Sequence, residues 1–275
     1  MSAPLDSAGD VSVAIVHFGT PEVLAECLRS FEEHRPRRVA QVIVVDNSAS
    51  NVEHDLALQF PWVEYVPNPE NVHYRRANNQ AAKRASCRYV LFLNPDTMLI
   101  DTDSIARLAD VLDARPDVGM VGPMLRGDDD LLAPQGERAA GLRDLVIHRA
   151  GEGADLRDPA LHIAGPVETL TAAALLVRRD EFLTVGGFDE RARMYWEEAE
   201  LARKFARTKQ HAYYLPEAFV RHRWRKGGSE LNANVEQYFE EARRLYYQQF
   251  FGLKGRVAYS GVAGARRTAR RLLRR

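Results

Sequence analysis

The chain has 275 residues, 38 basic and 38 acidic side chains and a formal net charge of zero, and 45% of it is hydrophobic. These values exclude a disordered polyanion and a uniformly basic nucleic-acid binder, and the length suits one large domain with a short appendage. The neutrality is uneven: residues 254–275 hold eight cationic side chains and no acid, which leaves a body of net charge −8.

Residues 1–10 show neither a basic n-region nor an apolar leader, and no stretch approaches the ~18 apolar residues that span a bilayer. The expected location is therefore cytoplasmic. Val11 to Phe18 is a β-branched, largely apolar run, and Thr20-Pro21 offers an N-cap and first-turn proline for a helix through about Glu33. The pattern repeats with a strand Gln41 to Val45, a helix from about Asn51 to Gln59, a strand Trp62 to Val66, a helix from about Arg75 to about Ser86 and a strand Tyr89 to Leu93. Apolar strands alternating with helices imply a parallel sheet covered on both faces, here up to about Val121. Cys27 and Cys87 both fall in these predicted helices, far apart, which leaves no disulfide framework and no CxxC metal site.

After Gly122-Pro123 the texture changes. Arg126 to Pro159 is rich in Gly, Asp and Arg, an irregular excursion with one predicted helix near Leu142 to His148. Order resumes at Leu170 to Val177, passes Gly186-Gly187-Phe188-Asp189-Glu190, and enters a helix from Trp196 to Thr208 followed by the strand His211 to Leu215. From about Leu231 the pattern is helical to the end, interrupted around Gly252 to Gly255.

No GxGxxG, GxxxxGK[ST], HExxH or GxSxG occurs, which removes most of the case for dinucleotide binding, P-loop chemistry, zinc proteolysis and serine hydrolysis. Acids instead collect at predicted strand ends, where α/β sheets place ligands. Asp46-Asn47-Ser48 follows one strand and Asn94-Pro95-Asp96-Thr97 another. Each suits a turn equally well, but a carboxylate at a strand end can also hold a hard cation against a diphosphate. Glu197, Glu198 and Glu200 open a helix, where acids also complement the helix dipole.

Taken in order, Val11–Phe18, Val44–Ser48, Asn78-Asn79, Leu93–Thr97, Gly186–Glu190, Trp196–Leu201 and Pro216–His222 resemble the successive landmarks of family 2 glycosyltransferases, with the bacterial rhamnosyltransferase-like branch nearest in appearance. The resemblance covers about residues 10 to 250. It implies a GT-A fold, an α/β architecture with a Rossmann-like, mostly parallel central sheet flanked by helices and a C-terminal helical extension. It divides the chain into a catalytic domain, 10–225, and an extension, 226–275. It implies a nucleoside-diphosphate sugar donor, dTDP- or UDP-linked, an Mn²⁺ or Mg²⁺ ion, and inversion at the anomeric carbon. The acceptor would be a glycan, a lipid-linked sugar or a small molecule, and the transferred sugar could be a deoxysugar such as rhamnose.

Carried onto this sequence, the resemblance gives donor binding to His17, Phe18, Asp46, Asn78, Asn94 and Asp96. It gives the metal to Asp96 and His222, and the catalytic base to Glu198, with Glu197 as the alternative. Trp196, Arg223 and Arg225 would face the acceptor or the leaving diphosphate, and Gly186-Gly187 would make a tight turn beneath the acceptor site. Three departures stand out. Glu197-Glu198 replaces the usual Glu-Asp pair, His73 replaces a glycine, and Ala172 sits where a glycine precedes the apolar strand.

The rival readings are a sugar nucleotidyltransferase, whose Gly-rich basic loop His17-Phe18-Gly19-Thr20 lacks, and an inactive nucleotide-sugar-binding protein. An aromatic stripe at residues 238–251 fits a core or homodimer contact, and the arginine-rich end fits an anionic membrane surface. No nucleic-acid partner is expected.

Overall fold

The computed structural model describes residues 5–48, 52–127, 141, 162–223 and 234–273. The predicted helix at Leu142–His148 and Arg225 lie outside them. The chain begins with β1 (Val11–His17), α1 (Pro21–His34), β2 (Val39–Asp46), α2 (Val52–Gln59), β3 (Glu64–Pro67), α3 (Tyr74–Arg84) and β4 (Tyr89–Leu93). It continues through β5 (Thr97–Leu99), α4 (Ser104–Ala114), β6 (Val118–Arg126), β7 (Gly165–Val167), β8 (Ala174–Arg178), α5 (Arg179–Thr184), α6 (Glu197–Arg207), β9 (His211–His222) and α7 (Val235–Leu273).

The strands form one sheet in the order β3-β2-β1-β4-β8-β6-β9-β5, with β7 against β9. β1 pairs in parallel with β2 on one side and β4 on the other, and β2 pairs in parallel with β3. Both faces of β1 are buried, and its side chains alternate between two cores, as the period of two requires. Val11, Val13 and Ile15 pack with Leu24, Leu28 and Phe31 of α1 and Leu108 and Leu112 of α4. Ala14 and Val16 share the opposite core with Ala77 and Ala81 of α3, Phe182 of α5 and Phe205 of α6.

The architecture is the expected GT-A type, with several local corrections. β5, β7 and β8 run antiparallel to their neighbours. Regular structure also extends past Gly122-Pro123, because β6 runs on to Arg126. It does so through an irregularity at Pro123/Met124 in its pairing with β9, a place where a proline's missing N–H costs no ladder bond. β9 is twelve residues long, not five, and reaches His222 through the same irregularity around Pro216 to Ala218. Cys87 lies between α3 and β4 rather than in a helix. Thr20 precedes α1, but its hydroxyl is buried without a hydrogen bond and caps nothing.

α7 breaks at Gly252, which has φ 56°, as the sequence suggests. Tyr246 and Tyr247 before the break and Ala258, Tyr259 and Val262 after it share one cluster with Trp196 and Ala199. The Tyr259 hydroxyl donates to Glu240 Oε2 at 2.6 Å, tying the two halves of α7 together. The aromatic stripe is thus core between α7 and the start of α6.

The turn at Gly186-Gly187 is held from α3. Gly187 has φ 56°, and a Cβ there would lie 2.6 Å from Asn79 Oδ1, which accepts from Phe188 N at 2.9 Å while Asn79 Nδ2 donates to Phe188 O at 2.8 Å. Asn79→Ala leaves a buried N–H and C=O unpaired at about 1–3 kcal/mol each. Urea denaturation should show a loss of about 2–6 kcal/mol with an unchanged m-value.

Candidate active site

Parallel register gathers the expected donor-side residues. His17 lies opposite Asp46 at the ends of β1 and β2. Ile15 lies opposite Leu93, so Asn94-Pro95-Asp96 leaves β4 at the same edge. The chain proceeds from β1 to β2 and β3 on one side, then returns through α3 to β4 on the other. Such a reversal opens a crevice at the strand ends, where α/β sheets bind ligands.

Local hydrogen bonds shape each strand end. Asp46 Oδ1 accepts from Ser48 N at 2.8 Å in an Asx turn, and Ser48 Oγ accepts from Gly19 N at 2.8 Å, joining the two loops. His17 is 1% exposed, and both of its ring nitrogens are buried without hydrogen bonds. Burial pulls its pKa below the usual imidazole value, against the pull of Asp46 and Glu22, so the ring is neutral at pH 7. The Tyr65 hydroxyl is likewise buried without a partner, and burial, then the nearby Asp46 charge, raises its pKa. Polar groups left this way beside a crevice point to a ligand that completes them. Phe18 is half-buried at the same loop.

The Asn94-Pro95-Asp96-Thr97 segment is a true turn, with Thr97 Oγ1 donating to Asn94 O at 2.6 Å. Antiparallel pairing of β5 with β9 then sets Thr97 opposite His222, and Arg223 N donates to Asp96 O at 2.9 Å. The His222 Nε2 to Asp96 Oδ1 distance is 3.3 Å. The two residues expected to hold metal are therefore brought together from positions more than a hundred residues apart. One imidazole and one carboxylate, completed by diphosphate oxygens and water, form a donor set that suits Mn²⁺ or Mg²⁺. Among the described residues no cluster of three or more His, Cys, Asp or Glu could enclose an ion unaided, so the residues fit a cation shared with its phosphate ligand.

Tyr74 joins this edge to the second acid group. Its hydroxyl donates to Asn94 Oδ1 at 3.1 Å and lies 3.4 Å from Ala172 O. Its pKa is pushed well up by burial first, then by the charges of Glu197 and Glu198, with Asp96 adding to them. One half-buried phenol thus feels Asp96 and the two adjacent glutamates together. Glu197 is buried, with Oε2 3.7 Å from Arg75 Nε, whereas Glu198 is half-buried in the first turn of α6. Burial raises the Glu197 pKa, and Arg75 opposes that shift.

The backbone entering α6 is strained. Tyr195 and Trp196 have φ of 70° and 64°, and a non-glycine residue held there costs about 1–3 kcal/mol. Trp196 packs against Phe239, Tyr246 and Tyr247 of α7 at 5.8, 5.0 and 6.0 Å between ring centroids. His73 also has positive φ, 68°, a conformation that glycine adopts freely, and its ring packs 5.6 Å from Tyr238. Two expected site residues point elsewhere: Asn78 Nδ2 donates to Tyr74 O at 3.0 Å within α3, and Arg223 pairs with Glu26 of α1. Tyr65, Tyr74 and Arg75 were not singled out from the sequence, where no motif marks them.

Residues 12–181 match the model of the family described as Glycosyl transferase family 2. The chain belongs to glycosyl transferase family 2. This family 2 chain is 28% identical over 206 residues to an N-acetylglucosaminyl-diphospho-decaprenol L-rhamnosyltransferase of Mycobacterium tuberculosis, covering 67% of each protein. It is 28% identical over 215 residues to the O-antigen biosynthesis protein RfbC of Myxococcus xanthus, covering 72% of this chain and 16% of that one. Among solved structures it resembles GalNAc-T7 with UDP, GalNAc and Mn²⁺, with TM-score 0.65, 15% identity and 88% of this chain covered, although it spans about half of that protein, 49%. It also resembles S. aureus TarS 1-349 in complex with UDP-GlcNAc, with TM-score 0.61 and 18% identity over 86% of this chain and 65% of that one. At these identities the structural likenesses establish the GT-A fold.

A histidine whose folded pKa lies below the unfolded value of 6.5 contributes full stability above about pH 6.5 and loses it as the pH falls through the lowered value. The thermal midpoint should therefore drop more steeply below pH 6.5 in the parent chain than in His17→Gln, as differential scanning calorimetry across pH 4.5–8 would show.

Proposed function

We propose that this family 2 chain catalyses inverting transfer of a sugar from a nucleoside-diphosphate donor to an acceptor hydroxyl, with residues 10–225 as the catalytic unit and 226–275 as an extension. The observation that carries this reading is Tyr74, whose hydroxyl donates to Asn94 of the turn that carries Asp96 and which feels the charges of Glu197, Glu198 and Asp96 together. A donor diphosphate on one side and an acceptor hydroxyl on the other would then meet across a single floor.

Asp46, His17 and Phe18 would line the nucleoside end. Asp96 and His222 would hold the divalent ion, which when bound neutralises charge growing on the leaving diphosphate. Glu198 is the proposed base. An alcohol is far too weak an acid to ionise near neutrality, so its proton must pass to a carboxylate as the oxygen attacks C1. In that one displacement the C1–O bond to the acceptor forms, the C1–O bond to the diphosphate breaks with inversion, and the proton ends on Glu198. Glu197 is the less suited of the pair, because its carboxylate is buried against Arg75.

The mycobacterial relative is named for L-rhamnosyl transfer and for N-acetylglucosaminyl-diphospho-decaprenol, which supports a deoxysugar donor such as dTDP-rhamnose and a lipid-linked acceptor here. A panel of dTDP-, UDP- and GDP-sugars read by mass spectrometry should give turnover with one donor, and UDP or dTDP should raise the melting temperature only with Mn²⁺. Glu198→Gln should lower turnover by about 10²–10⁴-fold without loss of that nucleotide binding. Full turnover in Glu198→Gln would remove it as the base.

The extension supports a peripheral membrane location. Leu253 and Val257 stand exposed at 74% and 63%, four residues apart on α7, next to Lys254 and Arg256 and ahead of the arginine run. Each such charge gains about 1 kcal/mol near an anionic surface. No described helix is long and apolar enough to cross a membrane. Replacing Arg266, Arg267, Arg270 and Arg271 by Gln should abolish sedimentation with phosphatidylglycerol vesicles at low salt and leave donor turnover in solution intact; undiminished sedimentation would refute a membrane role for the arginine run.

A further inference from the structure

Arg75 is one of the largest fully buried side chains, 2% exposed. It belongs to the first turn of α3, yet its guanidinium reaches into the segment that carries the acids. Nη2 donates to Tyr195 O at 2.6 Å, Nη1 donates to Asp189 O at 3.3 Å, and Nη1 also pairs with Glu200. The second Glu200 oxygen lies 2.6 Å from Lys204 Nζ and accepts from Asp189 N at 3.1 Å. The remaining donor, Nε, faces Glu197 Oε2 at 3.7 Å, and both atoms are buried without hydrogen bonds.

We infer that Arg75 is a positioning residue for the predicted base, holding the left-handed Tyr195–Trp196 entry to α6 and pairing with Glu197 so that Glu198 keeps one orientation. The inference deepens the glycosyl-transfer reading and rests on it for its kinetic consequence. Its structural half stands on the geometry alone. Two consecutive non-glycine residues at positive φ persist only where their surroundings over-determine them. The α7 aromatics confine the Trp196 ring, but ring packing is weakly directional. One arm of the guanidinium donates to the Tyr195 carbonyl and the other to the Asp189 carbonyl, so a single rigid fork ties the backbone at both ends of the segment and restrains the Tyr195 peptide plane itself. Charge acts in the same direction, since Lys204 also pairs with Glu200 while Glu197 has only Arg75 opposite it among the ion pairs described. Without the guanidinium a buried carboxylate loses its counter-charge, and it takes up a proton or moves.

The test compares the parent chain, Arg75→Met, Arg75→Lys and the double variant Arg75→Met/Glu197→Gln. In Arg75→Met, amides of residues 189–198 should exchange with deuterium at least 10-fold faster while those of β1 and β4 keep parent protection. Turnover of the donor found on the panel should fall 30-fold or more, while Kd for dTDP or UDP with Mn²⁺ stays within twofold. The double variant should regain at least threefold in protection, because the uncompensated carboxylate is gone. Parent-like exchange in residues 189–198 would overturn the inference, and so would nucleotide affinity falling in step with turnover. Should Arg75→Met fail to fold, Arg75→Lys decides: it keeps the charge and loses the fork, so intermediate exchange supports the inference and parent-like exchange with parent-like turnover overturns it. If the parent chain turns over no donor, the glycosyl-transfer reading fails while the exchange measurements still decide whether Arg75 holds the turn.

Discussion

Parallel pairing of β1 with β2 on one side and β4 on the other is the constraint on which the rest of the site depends. Because both strands run with β1, His17, Asp46 and the Asn94–Asp96 turn all emerge at one edge. Because the chain reverses direction across the sheet between β3 and β4, that edge is the place where sheets of this kind open a crevice for ligands. A one-residue slip of β1 would exchange the two buried sets, sending Val13 and Ile15 toward α3 and Ala14 toward α1. Burial on both faces makes that exchange costly in packing, so the register of the core also sets the register of the strand-end residues proposed to bind ligand.

The second half of the site is attached to this edge by long-range contacts. β9 carries His222 to Asp96 only because it continues past Pro216 and pairs with β5. α6 presents Glu197 and Glu198 only because α3 and α7 both grip the turn before it. The acids of the body, which the zero net charge conceals, consequently fall into two kinds. Glu197 and Glu200 have cationic partners supplied by the protein, Arg75 and Lys204. Asp96 has a histidine, a residue that can serve as a metal ligand as readily as a counter-ion. This division makes Asp96 the carboxylate best placed to serve a bound cation.

The first half of the fold was legible in the sequence because its strands are continuous apolar runs and its helices begin and end at turn residues. The acids at the strand ends were legible for the same reason: once Val42 to Val45 is a strand, Asp46 is at its end. What could not be read is what depends on pairing across the sheet. The antiparallel direction of β8 and the extension of β9 to His222 leave no local signature, and Pro123 and Pro216 argued for ending strands that the irregular β6–β9 pairing in fact allows to continue. Arg75 carries no local signal because an arginine in the first turn of a helix is usually solvated, and only the folded chain puts three acceptors from one distant segment around it. His73 was noted as a departure from glycine, and the structure supplies the physical content, a positive φ at that position together with a ring contact to α7.

The family match ends at residue 181, and that boundary runs between the two halves of the candidate site. His17, Asp46 and Asp96, the strand-end residues suited to a nucleotide and its diphosphate, fall inside the matched span. The left-handed turn, Glu197-Glu198, His222 and the whole of α7 fall beyond it. On the proposed reading, a donor-side frame inside the family match is thus completed by elements outside it. The longer carboxylate at position 198 belongs to that outer half. Its extra methylene displaces the oxygen atoms by roughly a bond length, and the turn that carries it is gripped by a buried arginine on one side and a cluster of aromatic rings on the other. The reach of the proposed base is therefore a property of three elements acting together, α3, α6 and α7, and on the glycosyl-transfer reading a change in any one of them alters where an acceptor hydroxyl would have to sit.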